Sequence, residues 1–174
     1  MAGLSPLAAV AIAGAFVFGM LLTLLGSIKL ALAKRLGIGE GRVGGLLAAL
    51  NLALIPMMLL SGFLLDRVGA RGVMALGSLL AALALFSLSL RKTYGWALVS
   101  VLVAGLGGAC LSSSSMVLMQ PAFFPSAPEQ EAAALNLGNV FFGLGCLMTP
   151  TLADLLLRTV RFRWTLGVLA LVCL

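Results

Sequence analysis

The sequence predicts an all-α integral membrane bundle, and three observations carry that prediction. The chain is 62% hydrophobic and 9% charged, with a mean hydropathy of +1.20, whereas soluble domains carry roughly a quarter charged residues. Its apolar runs are about as long as the 20 or so residues a helix needs to cross a bilayer. Brief polar breaks rich in Gly, Pro and basic residues separate those runs, so each reads as one span followed by a tight return. Because lipid leaves no solvent partner for backbone amides, the spans must be helices.

Five complete spans and the start of a sixth follow in order. They cover residues 7–31, 43–65, 73–90, 96–119 and 132–157, and a last run, 164–174, supplies about half the length of a crossing. The whole chain, 1–174, forms one transmembrane bundle. The breaks fall at Lys34-Arg35-Leu36-Gly37-Ile38-Gly39-Glu40, at Arg91 to Gly95, across Pro121, Pro125 and Pro128, and at Arg158 to Arg163. Tyr94, Trp96 and Trp164 sit at span ends, where an aromatic belt meets the headgroups. Met1 to Pro6 has no basic segment and the apolar run after it is too long for a leader, so the first run is read as a retained helix.

Charge and cysteine usage exclude several function classes. A formal charge of +6 and a pI of 10.1 would point a soluble protein toward nucleic acid. Here the cations cluster at span ends beside water and headgroups, so the lipid bilayer is the partner and nucleic acid is not. Cys110, Cys146 and Cys173 lie inside apolar runs, without Cys-x-x-Cys spacing and in a chain that has no histidine. They read as small buried hydrophobes, and no metal or cofactor is expected. No nucleophile with a base, metal cluster or phosphate loop occurs, so the chain is not read as an enzyme.

The second polar break is the most specific. Gly62-Phe63-Leu64-Leu65-Asp66-Arg67-Val68-Gly69-Ala70-Arg71 places one acid and two bases in a glycine-punctuated turn. Glycine permits positive φ and close approach, and an acid beside bases pairs locally or biases a helix end. This pattern resembles the loop between the second and third helices of the major facilitator superfamily of secondary transporters. Weaker, glycine-rich similarities run through Gly107-Gly108-Ala109-Cys110-Leu111 and through Asn136-Leu137-Gly138-Asn139 to Gly143-Leu144-Gly145, and these resemble the sugar-porter and fucose-permease branch. The resemblance covers nearly the whole chain. It implies the amino-terminal six-helix half of a transporter, with the sixth helix truncated, in a bacterial inner membrane. A second half would come from the same parent protein, a separate chain or self-association. It further implies a conformational-switch role for Gly62, Asp66, Arg67, Gly69 and Arg71, with Asp66 contacting a helix of the second half. Symport is the family's mode, yet Ser112 stands where that branch has a coupling carboxylate, and Thr23, Gly26 and Ser27 offer no acid on the first helix.

Polar side chains inside spans mark the candidate pathway, because an Asp at a helix centre costs about 2.5 to 3.5 kcal/mol on an insertion scale. At about 100° per residue, Asn136, Asn139, Gly143, Pro150 and Asp154 share one stripe of the fifth helix. Two readings stand side by side: a water-filled cavity for a polar solute, and hydrogen bonding with close packing between helices. For Asp154, pairing with Arg158 four residues on is an equal account. On the fourth helix Gly105, Gly108, Ser112, Ser115 and Met119 share a side, and each serine can contact solute or bond its own i−4 carbonyl. Thr23 completes the candidate pathway of Thr23, Ser112, Ser115, Asn136, Asn139 and Asp154. Lys29, about 240° round the first helix from Thr23, snorkels to the surface or binds an anion. Asn51 aligns with Gly44, Met58 and Gly62 on a packing face, and Gly41 and Gly45 form a weak small-residue motif.

Two orientations follow from two rules. Nine of the 11 cations lie at one end and only Arg67 and Arg71 at the other, so the positive-inside rule puts the basic end in the cytoplasm. The family resemblance puts the Asp66 turn there instead. The functional expectation is half of a secondary transporter moving a small polar solute, a sugar or organic acid, by alternating access. Its alternative is a non-transporting structural or assembly subunit of a larger membrane complex, built on a degenerate half-transporter fold.

Overall fold

The computed structural model describes residues 5–90 and 92–174, so the readings placed on Met1 to Leu4 and on Arg91 lie outside the described residues. Helices α1 (Pro6–Ser27), α2 (Lys29–Leu36), α3 (Glu40–Leu90), α4 (Tyr94–Phe123), α5 (Glu131–Thr159) and α6 (Phe162–Val172) follow in order, with a 3-10 turn at Pro128–Gln130 before α5. No strand occurs among the described residues. Among the described residues, four helices are long and apolar enough to cross a membrane. One of them, α3, has 51 residues, about 77 Å if straight, more than twice a bilayer's hydrocarbon thickness.

That length is resolved by a single residue. Gly69 adopts φ 79° and ψ 159°, non-helical torsions that an L side chain rarely accepts. Contacts with α4 show what this does. Gly45 approaches Tyr94, Leu50 approaches Gly105 and Ser61 meets Ser113, so the first limb of α3 (40–68) runs parallel to α4. Ser87 meets Ser100, Gly77 meets Gly107 and Met74 meets Ser114, so the second limb (70–90) runs antiparallel to it. The chain therefore reverses at Gly69, and the bundle has five spans followed by α6. The loop expected between residues 65 and 73 is in fact helical on both sides of one glycine. Asp66, Arg67, Ala70 and Arg71 are compatible with helix, and only the point of reversal needs a positive φ.

The first span also departs from the continuous 7–31 helix. Ser5 caps α1, accepting from the Ala8 amide at 3.2 Å, with Pro6 in the first turn. At its far end Thr23 Oγ1 donates to the Gly19 carbonyl and Ser27 Oγ to that of Thr23, a back-bonding chain that bends helices. Ile28 then leaves helical torsions (φ −96°, ψ 8°) and α2 begins. Gly37 ends α2 in the left-handed region (φ 64°), while the Ile38 amide bonds the Ala33 carbonyl, a Schellman close.

Close packing rests on two helix crossings. A Cβ placed on Gly19 would collide with the Phe142 carbonyl of α5, and one on Gly145 with the Phe16 carbonyl of α1. Gly77 and Gly107 make the equivalent crossing between the second limb of α3 and α4. Between apolar helices in lipid, such backbone proximity supplies the dispersion contacts that hydrophobic burial supplies in water. α1, α4 and the limbs of α3 form the centre of the bundle, where Leu24, Leu46, Leu111 and Met119 are fully buried.

Candidate functional site

α5 is the outlying span. Only 17% of its most apolar window is buried, against 50–56% in the other three long helices. Its buried residues Ala134, Gly138, Gly145, Thr149 and Ala153 form one face. Gly138 lies against Met116 and Met119 of α4, and Gly145 against Phe16 of α1. By helical projection the stripe of Asn136, Asn139, Gly143, Pro150 and Asp154 is turned roughly 90–150° away from that face, and all five residues are exposed. Among the described residues, neither Asn136 nor Asn139 has a hydrogen-bond partner. The interhelical bonding that competes as an explanation is absent for these two side chains among the described residues. Each amide carries two donors and a carbonyl acceptor with two lone pairs, so both present unused hydrogen-bonding capacity.

Asp154 behaves differently. Its carboxylate takes the Arg158 guanidinium at 3.0 Å, one turn on, with both side chains exposed. The stripe thus has a neutral amide portion nearer the start of α5 and a locally neutralised ion pair near its end.

Of the α4 hydroxyls of Ser112 to Ser115, those of Ser113 and Ser114 turn to partners. Ser113 Oγ meets Ser61 Oγ of α3 at 2.7 Å. Ser114 donates to the Cys110 carbonyl and lies 3.5 Å from Met74 Sδ. Ser115 is fully buried against Gly14 of α1, and its hydroxyl has no partner. Ser112 is half-buried, one turn beyond Gly108, which faces Phe18 and Leu21 of α1. Thr23 is half-buried and spends its hydroxyl on its own helix. The structure therefore draws Ser115 toward α1, keeps Thr23 within α1, and leaves Asn136 and Asn139 on a separate, open surface.

At the Gly69 reversal, Asp66, Arg67 and Arg71 are exposed and Gly62 is half-buried. Arg67 stacks over Phe63, its guanidinium carbon 4.3 Å from the ring centre. Among the described residues no ion pair involves Asp66, so the acid of this turn is not neutralised by its neighbouring arginines. Arg71 lines a cavity of about 650 Å³ with Pro6, Leu7, Met74 and Leu118, at the end of the bundle where α1 begins and α4 ends.

The opposite end carries the contacts the sequence did not disclose. Lys29 pairs with Glu40 at 3.0 Å, which binds α2 to the start of α3 and leaves the lysine head partly exposed, as a snorkelling side chain would be. Arg35 donates to the Ser89 carbonyl and lies 4.8 Å from the centre of the Phe162 ring. Partial burial, and then the charge of Arg163, lower its affinity for its proton. The partners of Arg35 lie more than 50 residues away in sequence, so no local pattern could have paired them.

Among the described residues no group of histidine, cysteine and acid could hold a metal ion. Known proteins similar to this chain point one way. The profile described as Major Facilitator Superfamily matches residues 10–174. The vesicular acetylcholine transporter unc-17 of Caenorhabditis elegans is 29% identical over 137 residues, 78% of this chain and 25% of that protein. An uncharacterized MFS-type transporter of Mycobacterium tuberculosis strain H37Rv is 33% identical over 116 residues, 63% of this chain and 25% of that protein. Its counterpart in strain CDC 1551 gives the same figures. The chain thus spans about a quarter of the length of the curated relatives it matches.

Proposed function

The chain belongs to the Major Facilitator Superfamily, and on that premise we propose that it forms the amino-terminal helical half of a secondary transporter that moves a small polar solute by alternating access. The relatives are transporters by name, which supports a transport component rather than an enzyme. The observation that carries the reading is the exposed α5 stripe, where Asn136 and Asn139 have no side-chain partner among the described residues. An amide left unpaired at membrane depth is costly unless water, solute or another helix reaches it. A cavity closed by a second six-helix half supplies all three.

The amide character of the stripe favours an uncharged polar solute such as a sugar, in keeping with the sugar-porter and fucose-permease branch. One relative is named for acetylcholine, a cation that would want a free carboxylate or an aromatic cage. The one carboxylate of the stripe is engaged by Arg158. The unpaired Asp66 is the second support: an acid with no local partner is free to bond a helix of the second half in one conformation and release it in the other. We place the complete protein in a cytoplasmic membrane with the Gly69 reversal inside.

Uptake of radiolabelled sugars and organic acids into vesicles containing the complete transporter tests this reading. Asn136→Ala and Asn139→Ala should each weaken apparent solute affinity, and Asp66→Asn should slow turnover. Unchanged uptake in both amide variants would sink the site assignment, and absence of transport for every solute class would favour the assembly-subunit alternative.

A further inference from the structure

A groove runs between the second limb of α3 and α6, and its two ends differ in chemistry. At the basic end it opens into a cavity of about 310 Å³ lined by Phe86, Ser89, Arg161, Arg163, Trp164 and Gly167. Phe86 and Gly167 also line the next cavity, of about 270 Å³, which continues toward the bilayer interior between Leu83, Ala170 and Leu171. Cationic groups therefore lie at headgroup level, and an apolar slot leads from them toward the membrane centre.

The cations at the mouth are uncompensated. The two acids at this end, Glu40 and Asp154, are taken by Lys29 and Arg158. Among the described residues no ion pair involves Arg35, Arg161 or Arg163. Arg35 lies behind the lining residue Ser89: it bonds the Ser89 carbonyl, stacks on Phe162, and keeps a buried Nε without a partner. The first amides of α6 point from the same place, since Arg161 precedes the helix without capping it through its side chain. A helix N-terminus beside two guanidiniums suits an anion. Trp164, 70% exposed, supplies the amphipathic ring that settles at the level of lipid glycerol.

We propose that this groove binds an anionic phospholipid, with its phosphate held by Arg161 and Arg163 at the start of α6 and one acyl chain lying against Phe86 and Leu83. A free phosphate would use the mouth alone, whereas the lipid accounts for both the cationic mouth and the apolar slot below it.

In the complete transporter, replacing every tryptophan other than Trp164 by phenylalanine, Trp96 among them, gives a variant in which Trp164 is the sole emitter beside the groove. This variant, reconstituted with phosphatidylcholine or phosphatidylglycerol brominated in the acyl chain, reports lipid occupancy by quenching. Phosphatidylglycerol should associate at least about fivefold more strongly. Arg161→Gln with Arg163→Gln should equalise the two lipids, while Arg163→Lys should keep part of the preference. Phosphatidylcholine quenching and circular dichroism like those of the parent would confirm that the double variant is folded. Equal quenching by both lipids in the parent, or an unchanged preference in the folded double variant, overturns the proposal. Millimolar inorganic phosphate, compared with chloride at matched ionic strength, separates the two sources. Selective loss of phosphatidylglycerol quenching would assign the arginines to a soluble anion and defeat the lipid reading, and persistence supports it.

Discussion

α4 and α5 are neighbours of nearly equal length, 30 and 29 residues, with the same window hydropathy of 1.8. Yet 56% of one window is buried and 17% of the other. Both carry several polar side chains, so neither hydropathy nor polar content separates them. The kind of polar group does. A serine hydroxyl in α4 can donate to its own preceding turn, as Ser114 does to Cys110, and so packs into the bundle at little cost. An asparagine in α5 has more hydrogen-bonding capacity than its own helix offers, and Asn136 and Asn139 stand on the open face. Hydroxyls therefore accompany packing, and amides mark the surface left for something else.

The contrast can be broken most severely at the crossing that holds α5 to α1. Gly145→Ala puts a Cβ into the Phe16 carbonyl and should cost about 3 kcal/mol in a detergent unfolding titration. Gly143→Ala, two residues away on the open face with nothing within 4 Å, should stay within about 0.5 kcal/mol. Similar losses in both would mean that the α1 and α5 backbones are not in close contact. Next in size, Asn136→Ala and Asn139→Ala should reduce apparent solute affinity of the complete transporter by about tenfold each, measured as concentration-dependent uptake, with unfolding midpoints unchanged. A fall in stability matching the fall in uptake would make the amides structural. Smallest, Ser61→Ala removes the hydroxyl that meets Ser113 across α3 and α4 and should cost about 0.6 kcal/mol with transport intact. A transport defect there would move the pathway into the bundle and dissolve the distinction between the two helices.

The spans themselves were legible because lipid imposes length and apolarity on each, and the structure's helices fall close to the apolar runs. The Gly62 to Arg71 segment announced a reversal, though not that one residue would perform it: its glycines and charges favoured a loop by composition, whereas Asp66, Arg67 and Ala70 are each compatible with helix. The periodicity of α5 placed Asn136, Asn139 and Asp154 on one stripe. Which way that stripe faced depended on Gly19 and Gly145 bringing two backbones together, a relation between positions more than 100 residues apart. Helix α1 was read through to residue 31 because Ile28 and Lys29 fit a helix by propensity, while the back-bonding of Thr23 and Ser27 is a matter of hydroxyl geometry. The partners of Arg35 were hidden for the same reason as the crossing, since hydrogen bonds and cation stacking between distant segments leave no mark on local pattern.

One consequence of the Gly69 reversal concerns mechanics. Helix continues up to residue 68 and resumes at 70, so compliance between the limbs is concentrated in two torsions. The first limb is then a lever about 43 Å long on a single pivot, and a change of about 10° at the pivot would sweep its far end through roughly 7 Å. Leverage also works in reverse: small displacements near residues 40–45 converge on Gly69 as torque, and the amino acid that permits the turn is also the one offering least resistance to being wound.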